Sequence, residues 1–522
     1  MDKLIIENKN RPVKVLLICE GTFPYIKGGV STWIYQIIKG LPEVNFGVVF
    51  LGANYSDYKG LQYEIPDNLV YISADFLFED INFRKMGNLL DIKGYYADTA
   101  KAARAKYDYI NELHGQFKAK ASSDFPERIK SLDFYLEYVT DAFFLHSKQS
   151  WSFIESEYSE FAPDSSFTDY FWTVRNVHAP IWKIAEIAKD IPPCEIVHSP
   201  STGYAGFLSG MLKFNRKTPF VLTEHGIYIR ERKIDILNSS ISPLKESVLN
   251  AQFSAKHLKN IWINFFEGIG RFCYGAADKV ISLFDDARSF QVNFGVDENK
   301  TAIVPNGVEV KKLSALLSKR EERVPQVVAL IGRVVQIKDV KTFIKSVKLA
   351  VDRIPAMQGW IVGPQDEDPG YAKECRDLVS MLGIEDSCLF LGFRNIYDIL
   401  PKIGLLTLTS ISEAMPLVVL EGFGAGVPAV CTDVGSCRQL IYGGLGEEDL
   451  KIGKAGEIVP IANPQVIAGS YAEFLTDGKK WLSAREAAIK RVNKYYSIET
   501  MYENYRNMYG EAGKKWRALP SN

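Results

Sequence analysis

The chain has 522 residues, 47% hydrophobic and 24% charged, with 62 basic against 63 acidic side chains and a formal net charge of −1. That length exceeds one hydrophobic core and asks for two or more domains. The balanced charge excludes a protein that coats nucleic acid, though not a local basic site, and seven cysteines without a C-x-x-C pair exclude a disulfide framework or a zinc knuckle.

No secretory leader is read, and the longest apolar runs are strand-sized, far short of the about 20 residues of a membrane span. A cytoplasmic protein is expected. Residues 1–12 are polar and are expected to be a frayed lead-in. Val13 to Cys19 (VKVLLIC) is a continuous apolar run, the pattern of a central parallel strand buried on both faces. Gly28-Gly29 then precede an amphipathic helix with Trp33, Ile34, Ile37, Ile38 and Leu41. Strand, Gly-rich turn and helix let backbone approach a ligand closely. The spacing is not G-x-G-x-x-G, so there is no dinucleotide fingerprint, and a plain tight turn is the alternative. FGVVFLGA and LVYISA are two further strands. Residues 76–190, rich in aromatics and charges and poor in Gly and Pro, predict a helical insertion packing on itself. Trp151, Phe153, Tyr170, Phe171 and Trp172 are its core, or anchors for an acceptor or partner.

The βα rhythm returns at CEIVHSPSTGYAGFLSGML. The next strand, Pro219 to Thr223, ends in Glu224-His225-Gly226. Open α/β sheets bind ligands at the carboxyl ends of their strands, so His225, followed by Arg230 and Arg232, is a candidate site residue; a structural histidine is the alternative. His198 shares a strand end but not that context. After ADKVISLF, the turn Pro305-Asn306-Gly307 leads to the charged stretch 311–324, where the domain boundary is placed.

In the second domain the strand Val327 to Ile331 ends at Gly332-Arg333, and Lys338-Asp339 lead into a helix. Arg offers a planar fork and Lys a point charge, so the two can converge on one anion; two solvated charges are the alternative. GWIVGP, SCLFLGF and LLTLTS continue the pattern. Asp366-Glu367-Asp368 spells D-x-D in a Pro/Gly-bounded loop and is read as solvated rather than metal-binding. TSISEAMPLVVLEGF then places Glu413 in a loop and Glu421 about one turn inside a helix whose first turn takes Pro416. A helix N-terminus favours an anion such as phosphate. One carboxylate beside it can bind sugar hydroxyls and the deeper one a ribose, as a nucleotide-sugar site needs. Helices close the chain, Tyr and Met at 3- and 4-residue spacings forming an aromatic face.

Gly28-Gly29-Val30, PNG at 305–307, GR at 332–333 with Lys338, Glu413-x7-Glu421, AGVPAV and TDVGS occur in this order. Together they resemble the GT-B glycosyltransferases of family 4, which take a nucleotide-activated sugar and retain its anomeric configuration. EGTFPYIKGGVSTW, TEHGIYIRERKID and the helical insertion are similar, more narrowly, to the PelF group, the cytosolic glycosyltransferases of Pel exopolysaccharide synthesis. The resemblance implies an α/β fold of two Rossmann-like doubly wound domains facing across a cleft. Residues 1–310, with the insertion, would form the acceptor side; 311–490 would bind the nucleotide-sugar; and helices in 491–522 would pack back on the first domain. It implies a UDP-sugar donor (UDP-glucose or a UDP-N-acetylhexosamine), a polysaccharide acceptor, no cofactor, no metal and no nucleic acid. It also implies an inner-membrane Pel synthase complex as partner, with the protein cytoplasmic or peripheral at the membrane's inner face. A nucleotide-sugar epimerase and a silent UDP-binding subunit are the rival functions.

Residue by residue, the resemblance has Arg333 and Lys338 neutralise the diphosphate and Glu421 bind the ribose. Glu413 would bind the donor sugar, with backbone N–H groups of Ala414, Met415 and Leu417 near sugar and phosphate. The Gly28-Gly29 loop would approach the phosphates or the acceptor, His225 would lie near the reacting sugar carbon, and backbone around Phe393-Arg394 would hold the base. One departure is Glu413-Ala414-Met415-Pro416 where many relatives have E-G-F-G; Pro416 offers no N–H.

Overall fold

The computed structural model describes residues 4–79, 100–118, 125–238, 248–321 and 323–517. The chain divides into two compact units. One comprises Met1–Ile281, Phe290–Ala302 and Arg506–Asn522, the other Ser282–Ser289 and Ile303–Tyr505.

Among the described residues the first unit carries an eight-stranded sheet. Its strands are β1 (Leu4–Glu7), β2 (Val13–Glu20), β3 (Phe46–Gly52), β4 (Leu69–Phe76), β5 (Cys194–Ser199), β6 (Phe220–Glu224), β7 (Lys279–Ser282) and β8 (Thr301–Ile303). They lie in the order β1-β4-β3-β2-β5-β6-β7-β8. Strands β4, β3, β2, β5 and β6 pair in parallel. Val15 to Cys19 of β2 are fully buried, as a run with both faces covered must be. The lead-in is not frayed: Leu4–Glu7 adds as an antiparallel edge to β4. Arg11 clamps its exit, donating to the Asp67 carbonyl at 2.7 Å and to Asn45 Oδ1 at 2.8 Å.

The insertion supplies the helices Ala100–Gly115, Lys148–Phe161 and Phe167–Asp190; residues 80–99 and 119–124 of the expected stretch lie outside the described residues. It does not pack only on itself. Ile110, Phe153 and Val177 share one core with Leu16 and Ile18 of β2 and with Phe265 and Ile269. The last two lie on Val248–Ala276, a helix the sequence reading passed over. Phe153 and Tyr170 are core, whereas Trp151 and Trp172 are 49% and 38% exposed.

The second unit carries six parallel strands: β9 (Val327–Ile331), β10 (Gln358–Val362), β11 (Cys388–Gly392), β12 (Leu405–Leu408), β13 (Ala429–Thr432) and β14 (Gly456–Val459). Their order is β11-β10-β9-β12-β13-β14. Both sheets are therefore doubly wound, reversing between β2 and β5 in one and between β9 and β12 in the other. This is the two-domain Rossmann-like α/β architecture of GT-B proteins.

The main segment of the second unit begins at Ile303, before the charged stretch 311–324. The reason is the Pro305-Asn306-Gly307 turn. Val308 N donates to the Tyr496 carbonyl and Ile498 N to the Val308 carbonyl, both at 2.9 Å. A side chain at Gly307 would lie 2.6 Å from Ile498 Cα. The chain rejoins the first unit at Arg506 rather than at 491, partway along the helix Ile498–Arg517. There Arg506 pairs with Glu43 at 2.8 Å and Tyr509 meets His198 Nδ1 at 2.7 Å. Among the described residues no helix is long and apolar enough to cross a membrane.

Candidate functional site

In the second unit the sheet reverses between β9 and β12, and that is where open α/β sheets form a ligand crevice. The loops leaving these two strands are tied together by one side-chain hydroxyl and one backbone N–H, both donating to backbone carbonyls. Thr409 Oγ1 donates to the carbonyls of Lys338 at 2.9 Å and Asp339 at 3.1 Å, and Ile411 N to the Ile337 carbonyl at 2.9 Å. This stitching brings the Lys338 ammonium onto Glu413 Oε1, which also accepts from Ser410 Oγ at 2.8 Å. Both partners are largely buried, with side-chain exposures of 21% and 14%.

Arg333 does not join Lys338 on one group. Its Nη1 contacts Glu367, at 2.8 Å to Oε2, in an exposed pair. Each cation of the β9 loop thus has its own carboxylate. The D-x-D loop is correspondingly not merely solvated: Glu367 holds Arg333, and Asp368 accepts from Tyr371 N at 3.0 Å, capping the helix Pro369–Met381. Among the described residues no three His, Cys, Asp or Glu side chains are grouped to hold a metal ion.

After β12 the helix is Leu417–Gly424, and Pro416 is its N-cap rather than a first-turn residue. The missing proline N–H therefore falls ahead of the first turn. No side chain caps this helix, so its leading N–H groups are presented as at an anion site. Ala414 and buried Met415 shape the approach, and the Ala414 carbonyl accepts from Ser436 N at 2.8 Å. Gly435 explains the TDVGS motif: its φ is +51°, and a Cβ there would sit 2.1 Å from the Glu413 carbonyl oxygen. Glu421 lies just over one turn inside the helix, and burial pushes its carboxyl up to about 7. Phe393, 81% exposed, and exposed Arg394 follow β11, two strands from β9. Three residues beyond them, Tyr397 is raised by burial and then by the charges of Glu309 and Glu421. The Phe393-Arg394 segment thus leads to the neighbourhood of Glu421.

In the first unit Gly28 has φ +123° and Gly29 opens the helix Gly29–Gly40; both are exposed and neither is needed for packing. Trp33 on that helix meets the His225 ring with centroids 4.5 Å apart. The residue as a whole is half-buried, but its Nε2 is sealed from solvent without a hydrogen-bond partner. Burial pushes the imidazole down to about 3, so His225 is neutral near pH 7.

Two strand-end carboxylates escaped sequence reasoning, although both stand in quoted motifs. Glu224 is buried and accepts from Tyr274 at 2.6 Å and Gln291 at 2.7 Å. Glu20 accepts from Tyr228 at 2.7 Å and from Ala205 N at 3.2 Å. Ala205 lies in the first turn of the helix Gly203–Arg216 that follows β5. The helix N-terminus at the first sheet's reversal is therefore filled by the protein's own carboxylate, whereas the one after β12 has no side-chain cap. The local sequence shows only an acid at the end of an apolar strand; the partners that give each its role lie 185 and 67 residues along the chain.

Two family models match this chain. Residues 13–299 match the family described as Domain of unknown function (DUF3492), and residues 325–477 match Glycosyl transferases group 1. The lipopolysaccharide core biosynthesis mannosyltransferase LpsB of Rhizobium meliloti (strain 1021) is 25% identical over 209 residues, 38% of this chain and 57% of that protein. The N-acetyl-alpha-D-glucosaminyl L-malate synthase of Bacillus anthracis is 29% identical over 133 residues, 25% of this chain and 32% of that protein. The chain thus spans from a third to just over half the length of these two relatives. The crystal structure of Anabaena Alr3699/HepE in complex with UDP superposes with a TM-score of 0.56 at 13% identity, covering 96% of this chain and all of that one; this likeness is one of fold.

Proposed function

Because the chain belongs to the family of the domain of unknown function DUF3492, with a group 1 glycosyl transferase domain after it, we propose that it is a retaining glycosyltransferase. It moves a sugar from a UDP-sugar to a growing exopolysaccharide. The observation that carries this reading is the uncapped helix Leu417–Gly424 beside the Lys338–Glu413 pair, at the carboxyl ends of β9 and β12. That arrangement lies inside the glycosyl transferases group 1 match. UDP is the nucleotide in the structurally similar HepE complex.

Glycosyl transfer separates a diphosphate, on which negative charge grows, from a cationic sugar. Preoriented donors stabilise that charge without reorganising, each worth roughly 10²–10³ in rate. Lys338, Arg333 and the N–H groups from Leu417 onward supply them. Glu413, held by Lys338 and Ser410, accepts from hydroxyls of the donor sugar, and Glu421 accepts from the ribose. His225, neutral near pH 7, lies near the reacting sugar carbon. The cations take the role a divalent ion would fill, so turnover is metal-independent. The resemblance of EGTFPYIKGGVSTW and TEHGIYIRERKID to the PelF group supports a Pel-type polymer as the product and an inner-membrane synthase complex as its destination.

A panel of UDP-, GDP- and ADP-sugars tests this reading. A UDP-sugar alone should raise the melting temperature by mass action and release UDP when acceptor is added. A sugar epimerised without acceptor, or no UDP release with any acceptor, counts against it.

A further inference from the structure

Inside the helical insertion, two histidines and a glutamate from three different helices meet. His114 comes from Ala100–Gly115, Glu157 from Lys148–Phe161 and His178 from Phe167–Asp190. All three are buried. Aromatic rings enclose them: Phe153 lies 5.1 Å from the His114 ring, and Phe144, Phe117 and Phe265 lie 5.4, 5.7 and 6.1 Å from that of His178. The chemistry proposed above uses none of the three.

Their contacts fix where the protons sit. A carbonyl only accepts, so His178 Nδ1, 2.8 Å from the Val174 carbonyl, carries a proton. Burial, and then the charge of His114, push His178 down to about 3, so its ring is neutral and its Nε2 is bare. That bare nitrogen lies 3.3 Å from His114 Nδ1, which must therefore be the donor. The other nitrogen of His114, Nε2, lies 3.4 Å from Glu157 Oε2. Burial acts to raise the Glu157 carboxyl, but His114 and then Lys118, donating at 2.9 Å, hold it below its ordinary value. An ionised carboxylate only accepts, so His114 Nε2 needs a proton as well. A neutral His114 would set lone pair against lone pair at one of its two contacts.

The surrounding charges are engaged elsewhere. Lys118 is on the other oxygen of Glu157, and Arg128, from the helix Glu127–Lys130, pairs with Glu112 at 3.3 Å. Tyr170, on the His178 helix, is raised by burial and then by the Glu157 charge, so it stays a neutral phenol. The helix Val248–Ala276 brings Phe265 to His178, while its His257 stacks on Tyr170 at 6.4 Å and its Arg271 donates to the Gln116 carbonyl at 3.4 Å.

We propose that His114 is a buried imidazolium clamping three helices of the insertion, and that loss of its proton loosens them, which makes the insertion a pH-sensitive joint. The folded chain then holds a proton that an unfolded histidine, at about 6.5, gives up near neutrality. Stability falls with rising pH wherever the folded state binds more protons than the unfolded one. The inference stands apart from the glycosyltransferase reading.

The test is NMR of the full chain with ring-¹⁵N histidine, joined to hydrogen exchange corrected for its intrinsic pH dependence. Near pH 7 both ring nitrogens of His114, assigned by the signal lost in His114→Gln, should carry protons, and His178 should show one bare nitrogen. Protection of Ala100–Gly115 and Lys148–Phe161 should fall by about tenfold between pH 6 and 9, as loss of one hydrogen bond to a charged group implies. His114→Gln keeps a donor but cannot titrate, and Glu157→Gln removes the carboxylate that demands the second proton, so protection in either variant should be flat with pH. A bare nitrogen on His114 near pH 7, flat protection in the parent, or a parental slope kept in the variants would overturn the clamp. The NMR result decides the matter in the parent even if a variant fails to fold.

Discussion

The Lys338 ammonium is seated on the Glu413 carboxylate, joining the two loops between whose strands, β9 and β12, the second sheet reverses its order. Neither side chain is fully exposed, so each depends on the other. Lys338→Ala should lower turnover by about 10²–10³, as loss of one preoriented donor does. It should also lower stability by about 1–3 kcal/mol, because the largely buried Glu413 loses its cation and keeps only the Ser410 hydroxyl. Adding Glu413→Gln should recover much of the stability and none of the turnover. Melting curves and UDP release, measured side by side, check both halves.

Arg333 behaves differently because its pair with Glu367 is exposed. Surface pairs of this kind contribute about 0–1 kcal/mol, so Arg333→Ala should melt like the parent while losing most turnover. Glu367→Gln removes a competitor for the guanidinium and should tighten UDP. Calorimetric titration of the two variants should move in opposite directions, and parallel weakening would remove Arg333 from the diphosphate.

Glu421 links binding to pH. Its carboxyl is pushed up to about 7 by burial, and only the carboxylate accepts from two ribose hydroxyls. UDP affinity should therefore rise as pH climbs through about 7, and Glu421→Gln should bind weakly and without that rise. The stability sign is opposite. A carboxyl raised above its unfolded value contributes stability below that value and loses it as pH rises through the folded one. Glu421→Gln should match the parent near pH 4 and melt higher than it at pH 8.

His225 should not titrate between pH 5 and 8, since its imidazole is pushed down to about 3. Its depressed folded value means that it contributes stability above the unfolded value and that this is lost as pH falls toward 3. The ring's NMR shifts should stay flat from pH 8 to 5, and His225→Ala should lose turnover with little change in UDP affinity. A midpoint near 6.5 would show that the ring is solvated.

Chelation supplies a further check. With Glu367 on Arg333 and Asp368 capping a helix, activity should survive EDTA. Full loss, restored by Mg²⁺ or Mn²⁺, would return the D-x-D loop to the chemistry.

The parallel strands and the loops at their carboxyl ends were legible because each is a short local signal: an apolar run, a glycine, then a charge. Gly332-Arg333 and Glu413 could be placed that way. Glu20 and Glu224 could not, because a lone acid at a strand end looks like any loop residue until Ala205 or Gln291 arrives from far along the chain. Leu4–Glu7 was hidden for the same reason, since its partner β4 lies more than sixty residues on and an edge strand need not be continuously apolar. The partition of Arg333 and Lys338 between separate carboxylates was also out of reach, because Glu367 is 34 residues from Arg333 and Glu413 is 75 from Lys338. Spacing within one loop says where two cations start, not which partner each meets.

Crystals grown with UDP test the central claim most directly. The diphosphate should lie within hydrogen-bond distance of the Lys338 ammonium and of the leading N–H groups of Leu417–Gly424, with the ribose on Glu421. A nucleotide bound elsewhere in the second unit, or against Glu20 in the first, would contradict it.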